Sequence, residues 1–158
     1  MAATQPTAST NSNLYEADFY LWIETTANHL KAGNLAEVDL ENLIEEIESL
    51  GRSEKRALKS NLLVVLMHLL KYKYQPEKSS KSWLSTIFEH RRRLIEGLTE
   101  SPSLKKYFFQ VFNECYQDGR KQAALETGLE IDNFPIEFQF SIDECLNQDF
   151  FPEIINLK

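Results

Sequence analysis

Apolar residues in this chain recur at helical spacing over most of its length, and no convincing strand emerges. Five helices follow from that pattern. The first starts at Tyr15 or Asp18 and runs to Lys31. It places Phe19, Ile23, Thr26, Ala27 and Leu30 on one face, Trp22 and His29 on its flank, and Gly33 as a stop. The second opens at Asp39, a good N-cap, and carries Leu40, Leu43, Ile44, Ile47 and Leu50 as its stripe. Glu41, Glu45 and Glu48 face away, while Glu46 lies on the stripe's border. Gly51 is expected to break or kink the chain, with Ser53 capping a third helix that reaches Tyr72. Its segment NLLVVLMHLL is apolar almost all round, as suits the centre of a bundle, and Gln75-Pro76 ends it. The fourth covers 83–98. Ser101 caps the fifth, with Pro102 at its first position and Gly128 at its close. Its face is Leu104, Phe108, Val111, Phe112, Cys115, Tyr116 and Ala123.

Beyond Gly128 lies an irregular segment holding Phe134, Phe138, Phe140, Phe150 and Phe151, interrupted by a capping box at Ser141-Ile-Asp-Glu144. Its aromatic content predicts that it packs back onto the bundle. The expected fold is all-α: residues 1–13 form a disordered tail, and 14–158 form one helical-bundle domain with an aromatic-rich C-terminal tail.

One position breaks the pattern. On the fourth helix, advancing about 100° per residue, Trp83, Leu84, Ile87, Phe88, Leu94, Ile95 and Leu98 fall within an arc of roughly 140°. Arg91 lands near its middle. A guanidinium cannot shed its proton, so burial demands a carboxylate or several carbonyl acceptors. Glu46 is the favoured partner, with Asp39 and Glu45 behind it. His68, on the least apolar side of the third helix, is the third member of an expected Glu46/His68/Arg91 polar cluster. Arg92 and Arg93 point off the arc and read as solvated.

Composition narrows the function. At 158 residues, 42% hydrophobic and 26% charged, the chain has the balance of one soluble globular domain. No run approaches a membrane span, and MAATQPTASTNSN lacks the basic start and apolar stretch of a secretory signal. Cys115 and Cys145 belong to no metal or disulfide framework, which fits a reducing, cytoplasmic setting. The net charge of −7 hides an asymmetry: residues 52–106 hold 13 Lys/Arg against 5 Asp/Glu. Internal complementarity is the simpler reading. The sharper one is a nucleic-acid face of Arg52, Lys55, Arg56, Lys59 and Arg91–Arg93, with Tyr74 and Trp83 for stacking; the overall acidity weighs against it.

Catalytic patterns are lacking. No Glu-x-x-His, HExxH, GxSxG, P-loop or GxGxxG occurs, so no metal site, cofactor or catalytic residue is expected.

The order of several segments carries a resemblance. Leu14-Tyr15, Asp18-Phe19 and Trp22 come first, then the run from Asp39 through Glu46 to Ser53. His68-Leu-Leu-Lys71, Tyr74-Gln-Pro76, Ser82-Trp83, Arg91–Arg93, Ser101-Pro-Ser-Leu104 and Phe134-Pro135 follow. From Leu14 to Glu153 the chain resembles the mostly cyanobacterial family called domain of unknown function 29. The resemblance implies a small all-helical cytoplasmic protein and carries over no catalytic residue. Tyr72 stands where relatives often have tryptophan, and Phe138-Gln-Phe140 replaces a proline–aromatic turn. The resulting expectation is a non-enzymatic interaction or adaptor domain that binds a protein partner or a second copy of itself. The alternative is a bundle binding a small anion or a metal, with a hydrolytic or regulatory role.

Overall fold

A computed structural model describes residues 8–155 and divides the chain into two compact units, 1–52 and 53–158. Six α-helices and no strand occur among the described residues: α1 (Ala8–Ala17), α2 (Phe19–Ala32), α3 (Leu40–Tyr74), α4 (Lys81–Glu100), α5 (Leu104–Thr127) and α6 (Ile142–Leu146). Of the stretch expected as a tail, residues 1–7 lie outside the described residues, and the rest begins α1.

In the N-terminal unit, α1, α2 and the start of α3 are held by caps and aromatic rings. Asp18 caps α2 by accepting from Leu21 N at 3.0 Å, and Gly33 closes it at φ +74°, which glycine adopts without strain. Asp39 opens α3, its side chain accepting from Asn42 N at 3.4 Å. Tyr15, Phe19 and Trp22 pack as a triad with ring centroids 4.9–5.7 Å apart. The buried positions of α2 are Trp22 and Thr26, so the packed ridge takes one residue from the expected stripe and one from its flank. Phe19, Ile23 and Leu30 remain more than 40% exposed.

The C-terminal unit holds the main core. From Leu58 onward α3 is buried nearly all round, with Leu62, Val65, Leu66 and Leu69 fully enclosed, as its continuous apolar run predicts. It packs with Ile87, Leu94 and Leu98 of α4 and with Phe108, Phe112, Cys115, Tyr116 and Ala123 of α5. At Gly119 α5 lies against α3: an ideal Cβ would sit in van der Waals contact, 3.4 Å from Met67 N and 3.5 Å from Leu66 Cβ. The buried stripe of α4 is narrower than its apolar arc: Leu84, Phe88 and Ile95 are 37–56% exposed.

Two local expectations change. Gly51 neither breaks nor kinks the chain out of helix; α3 runs unbroken for 35 residues, and Ser53 lies inside it rather than at a cap. A single glycine costs a helix only about 1 kcal/mol, less than continued hydrogen bonding and packing supply. At the start of α5, Ser101 and Pro102 form a turn, Leu104 N donating to Ser101 O at 2.9 Å, and the helix begins at Leu104. The capping box at Ser141 is complete in both directions, at 3.0 and 2.8 Å.

Gly51 offers a direct check on the continuous helix. A Cβ there meets nothing within 4 Å. Gly51→Ala is therefore expected to raise stability by about 0.5–1 kcal/mol in urea unfolding. A loss of stability would show that the backbone at this point is not helical.

Candidate functional site

Arg91 is fully buried, as its place in the apolar arc of α4 requires. Its Nε donates to Cys145 O at 2.8 Å, Nη1 to Phe150 O at 2.7 Å and Nη2 to Glu144 O at 3.3 Å. The guanidinium also lies 5.6 Å from the centroid of the Phe151 ring. Burial pulls its pKa below the ordinary value, yet arginine stays protonated. The expected acid is thus replaced by three carbonyls: those of Cys145 and Phe150 have no backbone donor in α6 or the turn after it, that of Glu144 also accepts from Asn147 N at 3.2 Å, and the guanidinium fork reaches all three. Glu46 lies in the other unit, where its carboxylate accepts a hydrogen bond from Tyr15 Oη.

His68 is half-buried on α3. Its Nδ1–H donates to Val64 O at 2.9 Å, and its ring meets Trp83 edge-on at 6.5 Å. The hydrogen bonds of Glu46, His68 and Arg91 therefore go to three different places. Two buried cations that the sequence reading passed over are held in the same unit. Lys71 Nζ pairs with Glu126 at 2.6 Å and sits 4.4 Å from the Trp83 ring centroid. Arg120 donates to Phe134 O at 2.9 Å, to Ile131 O at 3.4 Å and to Gln117 Oε1 at 2.7 Å. Arg120 follows Tyr116 by one helical turn on the apolar face of α5, so the test that singled out Arg91 would have found it. Lys71 carried no such signal, because Trp83 and Glu126 meet it only in the folded chain.

Part of the basic middle is answered from within. Arg92 pairs with Glu89 and Glu96, Arg93 with Glu89, Lys59 with Glu114, and Arg52 with Glu45. The two guanidinium groups hold the Glu89 carboxyl down to about 2. Tyr74 is buried against Phe134, which removes it as a stacking platform. Burial pushes the Cys115 thiol up to about 11 and that of Cys145 to about 12, the opposite of what a nucleophile needs. Among the described residues no group of three or more His, Cys, Asp or Glu gathers as metal ligands would. No helix among them is long and apolar enough to cross a membrane.

The N-terminal unit presents a different surface. Between α2 and the first turns of α3 runs a groove of about 380 Å³, walled by Phe19, Ile23, Leu30, Leu43, Ile47 and Leu50. Trp22 and Thr26 form its floor, and Glu46 is its one charged lining residue. Ile47 is 59% exposed and Leu50 67%. The stripe expected to pack inward on the start of α3 is thus open.

A family model described as Domain of unknown function DUF29 matches residues 14–151. The chain belongs to that family. No curated protein and no solved structure matches it. The DUF29 match takes in the groove, the Arg91 site and the Lys71–Trp83 pair alike, so it favours none of them as the working surface.

Two outcomes test this reading of the buried groups. Arg91→Met leaves the Cys145 and Phe150 carbonyls without a donor, each worth about 1–3 kcal/mol, while Glu144 O keeps Asn147 N, so a loss of at least about 2 kcal/mol is expected. Faster amide exchange in 142–151 should accompany it; an unchanged melting temperature with an unchanged tail would contradict the geometry. Burial, and secondarily the Lys71 charge, lower the His68 pKa from 6.5 against the opposing Val64 carbonyl. The unfolded chain then takes up this proton first, so the stability His68 contributes is complete above pH 6.5 and is lost on acidification below it. His68→Gln should flatten that part of a stability-versus-pH curve, and an unaltered slope would refute the assignment.

Proposed function

We propose that this protein is a non-enzymatic interaction module that docks a helix of a partner protein in the groove of its N-terminal unit. The supporting observation is the groove itself: two helices present aligned apolar side chains to solvent where a third helix would complete the packing. Such a surface is costly to leave in water, at about 25 cal/mol for each Å² of apolar area, and exposed patches of this kind mark interaction sites. Along α2 the wall from Phe19 to Leu30 spans three turns, about 16 Å, which matches apolar anchors at i, i+4, i+7 and i+11 of a docked helix. A cytoplasmic setting belongs to the same reading, supported by two free, buried cysteines. The Arg91 site argues against the anion-binding alternative, since the side chain is fully enclosed and three of its N–H groups already donate to the chain's own carbonyls.

The test is a titration of the full chain with an uncharged amphipathic model helix built from Leu and Gln, followed by amide shifts. Shifts concentrated in 19–30 and 43–50 are expected, and Ile47→Arg should abolish them. Because Ile47 is exposed, that substitution should change stability by no more than about 0.5 kcal/mol. Shifts absent from both segments would remove the groove as a docking surface.

A further inference from the structure

Charge specifies the occupant further, on the footing of the docking role just proposed. Residues 1–52 carry nine Asp/Glu against two Lys/Arg, Lys31 and Arg52, so the N-terminal unit holds the whole net charge of −7. Residues 53–158 carry fifteen of each and balance to zero. Within the unit, Arg52 is already paired with Glu45 at 2.6 Å, which leaves Lys31 as the cation outside that pair. Glu46 stands in the groove wall, Glu24 is exposed on α2, and Glu41 and Glu48 are exposed on α3. An apolar trough set in a strongly acidic unit accepts one kind of helix best.

We infer that the groove between α2 and the start of α3 selects a cationic amphipathic helix, with Leu-like anchors on one face and Lys or Arg along its flanks. The apolar face supplies the affinity, and the flanking cations supply steering and choice of partner, because opposite potentials raise association rates while like charge rejects wrong partners. A second copy of this chain is disfavoured on the same ground, since two units of −7 would have to be brought together. A helix docked here lays its anchors against Ile23, Leu30, Ile47 and Leu50, and one of its flanks meets Glu46, the charged residue of the groove lining.

The experiment uses the full chain carrying Trp83→Phe, so that Trp22 in the groove floor is the remaining tryptophan. Three model helices share one Leu register and differ only in having Lys, Gln or Glu at the polar positions. The Lys helix is expected to bind on the order of tenfold more tightly than the Gln helix at low salt, and the Glu helix more weakly than either. That advantage should fade at about 0.5 M salt, where charges are screened within a few ångströms. Glu46→Gln should shrink the Lys preference. Ile47→Arg should abolish binding, whereas Ile136→Arg, at an exposed apolar position of the other unit, should not. Equal binding of the Lys and Gln helices would overturn the charge selection and leave the docking role standing. Binding of none of the three would overturn both. A dimer of the chain that Ile47→Arg splits would assign the groove to a second copy and overturn the inference.

Discussion

A buried guanidinium and the irregular peptide it serves are each unstable without the other, and the C-terminal unit is organised around that dependence. Arg91 cannot be neutralised, so its place among Ile87, Leu94 and Leu98 demands acceptors. The carbonyls of Cys145 and Phe150 leave a short helix and a turn with no backbone donor of their own, and that of Glu144 is shared with Asn147 N. Bringing the two together satisfies three oxygens with one side chain and ties the end of the chain to α4. Ion pairing would have fixed only two side chains; carbonyl capture fixes a stretch of backbone.

The same solution recurs along the tail. Arg120 takes the carbonyls of Ile131 and Phe134, Tyr116 Oη donates to Pro135 O at 2.7 Å, and Gln75 donates to Thr127 O at 3.1 Å. Aromatic rings fill the spaces between: Phe138 packs edge-on against Phe112 and Tyr116, and Phe151 against Tyr72. Tyr72 of α3 and Phe138 and Phe140 of the tail are therefore packed aromatic positions. Long side chains from regular helices thus supply the donors that an irregular segment cannot find in itself.

The N-terminal unit lacks such closure. Its polar contacts are local: Trp22 Nε1 donates to Asp39 at 3.3 Å, and Tyr15 reaches Glu46. Its apolar side chains outnumber the places available to bury them, so half of an amphipathic pattern stays in solvent. In a folded domain that is an energetic liability, and in a binding module it is the reserve of free energy released when a partner arrives.

Much of the architecture was legible before any tertiary contact was known, because helices are set by local rules. The period of apolar residues, the caps at Asp18, Asp39 and Ser141, and the stops at Gly33, Pro76 and Gly128 all act within a few residues. The burial of Arg91 was legible for the same reason, since a helix fixes which residues share a face. Its partners were not. Which acceptor meets a guanidinium depends on how a segment over fifty residues away folds back, and an acid is the natural guess when backbone carbonyls look alike in every sequence. The groove was hidden by a related degeneracy: a stripe of leucine and isoleucine reads the same whether a neighbour covers it or water does. Local chemistry determined the elements and the odd residue among them, and only the tertiary structure decided what each exposed or buried face would meet.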